Sequence, residues 1–136
     1  MIIADTSGLL AFFNRREPAH EATTAILEST GEPVSVSPYV VAEIDYLVAT
    51  RLGAEAAVVV LDALSSGAYV LDTIDVNGLR RATEIVRRYQ DQEIGVADAS
   101  LVVLAERHRT RTILTLDHRH FDVLRPLDGG RFKLVP

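Results

Sequence analysis

The chain has 136 residues, a size typical of one globular domain with its own core, and we expect a single domain over residues 1–136. It has no cysteine, which excludes a disulfide framework or a thiolate zinc site and fits a reducing compartment. The formal net charge of −5 argues against attraction of the whole surface to nucleic acid or to an anionic membrane.

Strand-like and helix-like segments alternate along the chain. Residues with capping or helix-ending preferences, such as Ser37-Pro38, Gly31 and Gly53, mark several of the boundaries. In chain order we predict a strand at 2–4, a helix at 8–13 capped by Asp5-Thr6-Ser7, a helix at about 17–28 and a strand at 34–36. We then predict a helix from Ser37-Pro38 to Gly53, a helix at 54–64, a strand at 68–71, a helix at 76–89, a helix at 97–107, a strand at 112–116, a polar loop at 117–120 and a strand at 131–135.

This alternation predicts an α/β fold with a mainly parallel central sheet flanked by helices. The helix at 54–64 is apolar almost all round, which predicts burial or an interface. In the amphipathic helix at 76–89 we expect Leu79, Ala82, Ile85 and Val86 to face inward. No apolar run approaches the ~20 residues that span a bilayer, and no secretion signal is visible, so we expect a cytoplasmic protein without membrane contact.

Four acidic residues stand out because the fold could bring them together. Asp5 and Asp117 follow predicted strands, and the carboxyl ends of parallel strands form the ligand crevice of such folds. Glu43 and Asp98 interrupt apolar helical stripes. Each also has an ordinary explanation: a helix cap for Asp5, an ion pair for Glu43, a first-turn acid for Asp98 and a turn residue for Asp117.

Together, four carboxylates in one pocket would repel one another. Two charges about 5 Å apart cost roughly 3 kcal/mol at an effective dielectric constant near 20. Either some pKa values rise or a cation binds. All-oxygen ligands favour Mg²⁺, or Mn²⁺ as a substitute, and such a site suits metal-assisted hydrolysis of a phosphodiester.

The same residues resemble a known family. Asp5-Thr6-Ser7 after the first strand, Val41-Ala42-Glu43, Ala97-Asp98-Ala99, and Thr115-Leu116-Asp117 followed by Phe121 are similar to the motifs of PIN-domain ribonucleases. Among these, the whole chain looks like the VapC-type toxins of bacterial toxin–antitoxin pairs. The resemblance implies a PIN-like three-layer fold and a Mg²⁺-dependent endoribonuclease, with transfer RNA and ribosomal RNA as candidate substrates.

The resemblance also assigns roles. It implies that Asp5 and Asp98 first, then Glu43 and Asp117, are the catalytic metal ligands. Thr6, Ser7 and Thr115 would orient the carboxylates. It further implies a homodimer and a small antitoxin whose C-terminal segment blocks the acidic pocket. We interpret His20, His108, His118 and His120 as surface residues, with substrate contact as the alternative for His118 and His120 because they are close to Asp117. The candidate phosphate contacts are Arg80, Arg81, Arg87, Arg88, Arg107, Arg109, Arg111 and Arg119.

Two other interpretations stay open at this point. A PIN-like module could bind RNA or protein without cleaving, although all four acids are present. A receiver-type or phosphatase-type phosphoryl-transfer domain would also place an acid after its first strand. That reading leaves Glu43 unexplained, and Ser7 stands where the phosphatase pattern has its second acid.

Overall fold

The computed structural model describes residues 1–136, and a five-stranded sheet forms its centre. All four strand pairings are parallel, which confirms the predicted α/β fold with a mainly parallel sheet. The strand order is β3-β2-β1-β4-β5. The strands are β1 (Ile2–Ala4), β2 (Val34–Val36), β3 (Val70–Leu71), β4 (Thr112–Leu114) and β5 (Lys133–Val135).

Seven helices connect and cover these strands. The predicted caps are confirmed at the third helix, where the Ser37 hydroxyl accepts a hydrogen bond from the Tyr39 backbone N–H (3.2 Å) and Pro38 occupies the first turn. The helices are α1 (Thr6–Phe13), α2 (His20–Thr30), α3 (Pro38–Leu52), α4 (Ala54–Leu64), α5 (Val76–Arg88), α6 (Val96–Arg107) and α7 (His118–Val123), with a 3₁₀ turn at Gln90–Gln92. None of them is both long and apolar enough to cross a membrane.

The core lies around β1 and α6. All three residues of β1 are buried, because β1 pairs with β2 on one side and with β4 on the other. Helix α6 is buried continuously from Ala99 to Ala105. A side chain at Gly8 of α1 would place its Cβ 2.5 Å from the carbonyl oxygen of Leu114, so only glycine lets α1 lie this close to the end of β4. These contacts fix the element ends where the acidic residues lie.

A polar cluster fastens β3 to the rest of the sheet. The Ser35 hydroxyl donates to the carboxylate of Asp72, and His108 Nε2 lies 2.7 Å from Asp72 Oδ2. Arg107 Nη1 is 3.4 Å from Asp72 Oδ1 and donates to the Thr73 carbonyl oxygen (2.7 Å). Burial by itself would raise the pKa of Asp72, but these hydrogen bonds and charges more than offset it, and the pKa lies below its ordinary value. His108 is therefore a structural residue as well as a partly exposed one.

Several sequence-based boundaries were wrong. Helix α2 begins at His20, because Pro18 occupies a preceding turn that the His20 N–H closes on the Glu17 carbonyl oxygen (2.9 Å). The predicted loop at 117–120 contains the start of α7. In α5, Ala82 and Ile85 are buried as expected, but Leu79 is 43% exposed. The buried residues of α5 are Gly78, Ala82 and Ile85, which recur at helical spacing, so the buried face passes through Gly78 and leaves Leu79 beside it.

Candidate active site

The structure brings all four candidate acids to one pocket at the carboxyl edge of the sheet. Asp5 directly follows β1, and Asp117 lies three residues beyond β4. Glu43 comes from the second turn of α3, and Asp98 comes from the first turn of α6. Together with His120, these side chains line a cavity of about 630 Å³.

Asp5 is held by hydroxyl groups from two segments of the chain. Its carboxylate is almost fully buried (6% exposed), and Oδ2 accepts hydrogen bonds from Ser7 Oγ and Thr115 Oγ1, both at 2.7 Å. Ser7 Oγ in turn accepts from the Leu116 N–H (2.8 Å), and Thr115 Oγ1 accepts from the Asp117 N–H (2.9 Å). The carboxylate therefore has a fixed orientation, since its donors are themselves anchored by backbone groups.

Thr6 differs from the other two hydroxyl residues expected to orient the acids. Ser7 and Thr115 contact Asp5, but the Thr6 hydroxyl is buried and has no hydrogen-bond partner within the protein. Thr6 also lines the acidic pocket. A buried hydroxyl without a partner costs free energy, and Thr6 Oγ1 makes no hydrogen bond to any of the four acids, contrary to the expected orienting role.

Asp98 is the acid of the pocket whose pKa is strongly changed by its surroundings. Burial, together with the negative charges of Asp5, Glu43 and Asp117, raises the pKa of Asp98 to about 6, while His120 acts in the opposite direction. His120 Nδ1 lies 2.9 Å from Asp98 Oδ2 and 3.4 Å from Asp117 Oδ2. The imidazole ring therefore joins two of the acids.

The sequence interpretation placed His120 on the surface, with substrate contact as the alternative, and did not predict its contacts with Asp98 and Asp117. The missing signal was α7: a helix beginning directly after Asp117 puts residues 117 and 120 on the same side of its first turn. Both side chains then reach the pocket, and the sequence spacing alone would have predicted this had the segment been recognised as helical.

The donor set is suited to a hard cation. Carboxylate and hydroxyl oxygens are the ligands that Mg²⁺ and Mn²⁺ prefer. The raised pKa of Asp98 and the unpartnered Thr6 hydroxyl both indicate a pocket whose charge and hydrogen bonding are incomplete within the protein. No three His, Asp or Glu side chains lie close enough to form a ready-made chelating group. Mg²⁺ is commonly held by one or two carboxylates, with water and phosphate oxygens completing its shell.

The arginines near the acidic pocket are mostly not the ones that the sequence predicted. Of the candidate phosphate contacts, Arg81 pairs with Glu106 (2.6 Å) and Arg111 with Asp128 (3.1 Å), and only Arg119 reaches an acid of the pocket, Asp117, at 3.7 Å. The arginine that lines the acidic pocket is Arg51, in the last turn of α3. Sequence inspection overlooked it because it lies in none of the arginine-rich segments.

Comparison with known proteins agrees with this arrangement. The model of the PIN domain matches residues 2–125. The chain belongs to the PIN domain family. This PIN domain is 54% identical over 135 residues to ribonuclease VapC26 of Mycobacterium tuberculosis, across 99% of this chain and 100% of that protein. The expected resemblance to VapC-type proteins is confirmed, and the phosphoryl-transfer alternative finds no support.

Solved structures show the same fold. The Mycobacterium tuberculosis toxin VapC20, described as cleaving the sarcin–ricin loop, superposes with a TM-score of 0.86 at 20% identity, covering 100% of both chains. FitAcB from Neisseria gonorrhoeae gives 0.68 at 24% identity, over 98% of this PIN domain and 97% of that chain. DNA-bound VapBC from Salmonella typhimurium gives 0.70 at 16% identity, over 98% and 96% respectively. These matches confirm the PIN-like fold.

Proposed function

We propose that this PIN domain is a Mg²⁺-dependent endoribonuclease and the toxin of a toxin–antitoxin pair. The observation that carries the proposal is the convergence of Asp5, Glu43, Asp98 and Asp117 on one pocket, in which the pKa of Asp98 is raised to about 6. A cluster of acids in which one pKa is strongly raised by burial and by its charged neighbours is typical of a catalytic site. The 54% identity to a protein named as a ribonuclease supports RNA as the substrate class.

In this proposal Asp5 and Asp98 hold the cation, and Glu43 and Asp117 complete the negative pocket. When bound, Mg²⁺ or Mn²⁺ would supply a Lewis acid for the phosphate and activate the attacking water. Ser7 and Thr115 keep Asp5 in a single orientation. His120 holds the carboxylates of Asp98 and Asp117 in a fixed relation. Because the attacking group is water, the substrate's 2′-hydroxyl is not required.

Two protein partners belong to the same proposal. The regulator is a small antitoxin protein whose C-terminal segment blocks the acidic pocket; the structures of VapBC complexes support an antitoxin partner in general. A homodimer is the proposed assembly. Helices α3 and α4 expose large apolar side chains that an interface would cover, namely Tyr46 (68% exposed), Val59 (66%), Val58 and Leu52. Sedimentation that shows only monomer at micromolar concentration would contradict the dimer.

Cleavage of total bacterial RNA tests the activity. The purified protein is incubated with Mg²⁺, with Mn²⁺ or with EDTA, beside Asp98→Asn and the control Asp122→Asn, which changes an exposed acid on α7. We expect discrete cuts with either metal that are lost with EDTA and with Asp98→Asn but kept by Asp122→Asn. Mapping the ends identifies the RNA, with transfer RNA and ribosomal RNA as the expected targets. RNA binding without cleavage under any metal would instead favour a non-catalytic RNA-binding module.

A further inference from the structure

A second cavity opens beside the acidic pocket. It has a volume of about 220 Å³ and lies between the end of α1 and the last turns of α3. The two cavities share Ser7, Leu10, Leu47 and Arg51 as lining residues, so they form one continuous groove. The second cavity is smaller than the ~300–1,000 Å³ that is typical for drug-sized ligands. A ligand that occupies it would be the size of a single planar ring system.

Arg51 stands where the two cavities meet. Its side chain is exposed and lies beside an acidic pocket, yet no carboxylate is within 4.0 Å of it, whereas Arg81, Arg107 and Arg111 each have an acidic partner. The guanidinium group therefore has its full set of donors free. A planar fork of N–H donors matches the oxygens of a phosphate.

The walls of the second cavity are mostly apolar and carry a few polar groups. The apolar residues are Leu10, Leu47, Val48, Leu52 and Leu116. Besides Ser7 and Arg51, the polar residues are Asn14 and Glu17, which follow the end of α1. The side-chain oxygen Oδ1 of Asn14 accepts from the Arg16 backbone N–H (3.1 Å), which leaves the side-chain NH₂ donors of Asn14 free. The Glu17 carboxylate has no side-chain partner and can only accept hydrogen bonds when ionised.

We propose that this second cavity is the subsite for a nucleotide that flanks the scissile phosphate. Arg51 binds the neighbouring phosphate, the apolar walls contact the base, and Glu17 with Asn14 reads the edge of the base. The groove continues directly from the acids, as a chain leaving the cleavage point requires, and its one unpaired cation is complementary to RNA. Single-stranded RNA is recognised in this way, with unstacked bases contacted on their faces and edges. The inference rests on the proposed ribonuclease activity.

The test uses the RNA segment around the cut site that wild-type cleavage defines. Binding of this labelled RNA is measured with the Asp98→Asn protein, alone and combined with Arg51→Ala, Arg51→Lys or the control Arg131→Ala. Arg131 lies just before β5, at the opposite edge of the sheet. We expect Arg51→Ala to weaken binding about tenfold, as the loss of a charged hydrogen bond would. The slope of log affinity against log salt should fall by about 0.7, the value for one phosphate of a single strand.

Arg51→Lys should keep the salt slope, since the charge remains, but should bind less tightly than wild type because the fork is lost. In the cleaving protein, Arg51→Ala should raise KM about tenfold with kcat little changed. Unchanged binding and an unchanged salt slope in Arg51→Ala, in a protein whose wild type cleaves, would overturn the proposal. A wild type that cleaves no RNA would instead overturn the proposed function, so the two failures are distinct.

Glu17→Gln tests the base-reading end of the cavity. The carboxylate accepts only, whereas the amide both donates and accepts, so the preferred base at one position next to the cut should change between the two proteins. The comparison uses a set of four RNAs that differ only at each flanking position. A shift in preference confined to one position supports the subsite. Identical preferences in both proteins would overturn the assignment of this cavity to a base.

Discussion

Asp98 should make the metal-free protein less stable at neutral pH than its neutral counterpart Asp98→Asn. The pKa of Asp98 rises from the ordinary value of 3.8 to about 6 on folding. One unit of pKa corresponds to about 1.4 kcal/mol, so the ionised carboxylate costs the folded state about 3 kcal/mol above pH 6. Because the folded pKa lies above the unfolded one, stability falls as pH rises from about 4 to 6. Asparagine cannot ionise and avoids the whole penalty.

The assay is urea and thermal unfolding of both proteins in EDTA at pH 5.0 and 7.5. We expect Asp98→Asn to be more stable by about 3 kcal/mol at pH 7.5, which is roughly 10 °C in Tm for a domain of this size. The gain should shrink to about half at pH 5.0, where the folded wild type is mostly protonated. The exposed control Asp122→Asn should change neither the free energy of unfolding nor Tm. A less stable Asp98→Asn at pH 7.5, or a gain that grows towards acid, would refute the reasoning.

Three further perturbations address other parts of the structure. Asp72→Asn should lower the free energy of unfolding by about 1–3 kcal/mol at neutral pH, because it weakens the hydrogen bonds to Ser35 and His108. The pKa of Asp72 is lowered in the folded protein, so urea unfolding should show this difference disappearing as the pH falls through 4 and below. Gly8→Ala should cost about 1–3 kcal/mol by urea unfolding, because its Cβ would meet the Leu114 carbonyl oxygen. Gly95→Ala has open space around it and should cost less, about 0.5–1 kcal/mol, since alanine is a poorer N-cap of α6 than glycine. His120→Asn keeps an N–H donor near the position of Nδ1, and His120→Gln does not. The cleavage rate and the affinity for Mn²⁺, measured from the thermal shift during a titration, should therefore fall more in His120→Gln. Equal losses in the two variants would contradict a role through Nδ1.

The sheet and the four acids were predictable for a simple physical reason. Strands 2–4 and 112–114 are short apolar runs, and a parallel sheet places the residues that follow them at one edge. Asp5 and Asp117 were thus expected at the same edge, and they share a pocket because β1 and β4 are neighbouring strands, which the sequence did not predict. Glu43 lies at the border of the buried positions Val40 and Ile44, as its spacing predicted; it is exposed and lines the pocket.

Other parts of the site depend on tertiary contacts, which cannot be predicted from the spacing of residues within one segment. His120 was read as a surface residue because the segment after Asp117 is rich in polar residues, whereas burial of Phe121 and Leu124 organises it into a short helix. Leu79 was assigned to the core from its spacing, but the buried face of α5 passes through Gly78, Ala82 and Ile85. The position of Arg51 follows from the length of α3, which carries its last turn back over the end of α1.

The hydrogen bond between Asp5 and Thr115 joins residues that are 110 positions apart. During synthesis, a chain that has not yet extended past β4 lacks the donor that orients its first acid, and it also lacks Asp117 and His120. The central strand β1 itself has an unpaired side until β4 arrives. A nascent or truncated chain that ends before Asp117 therefore has no assembled pocket, and whatever chemistry the four acids perform begins only after β4 and the start of α7 have been synthesised.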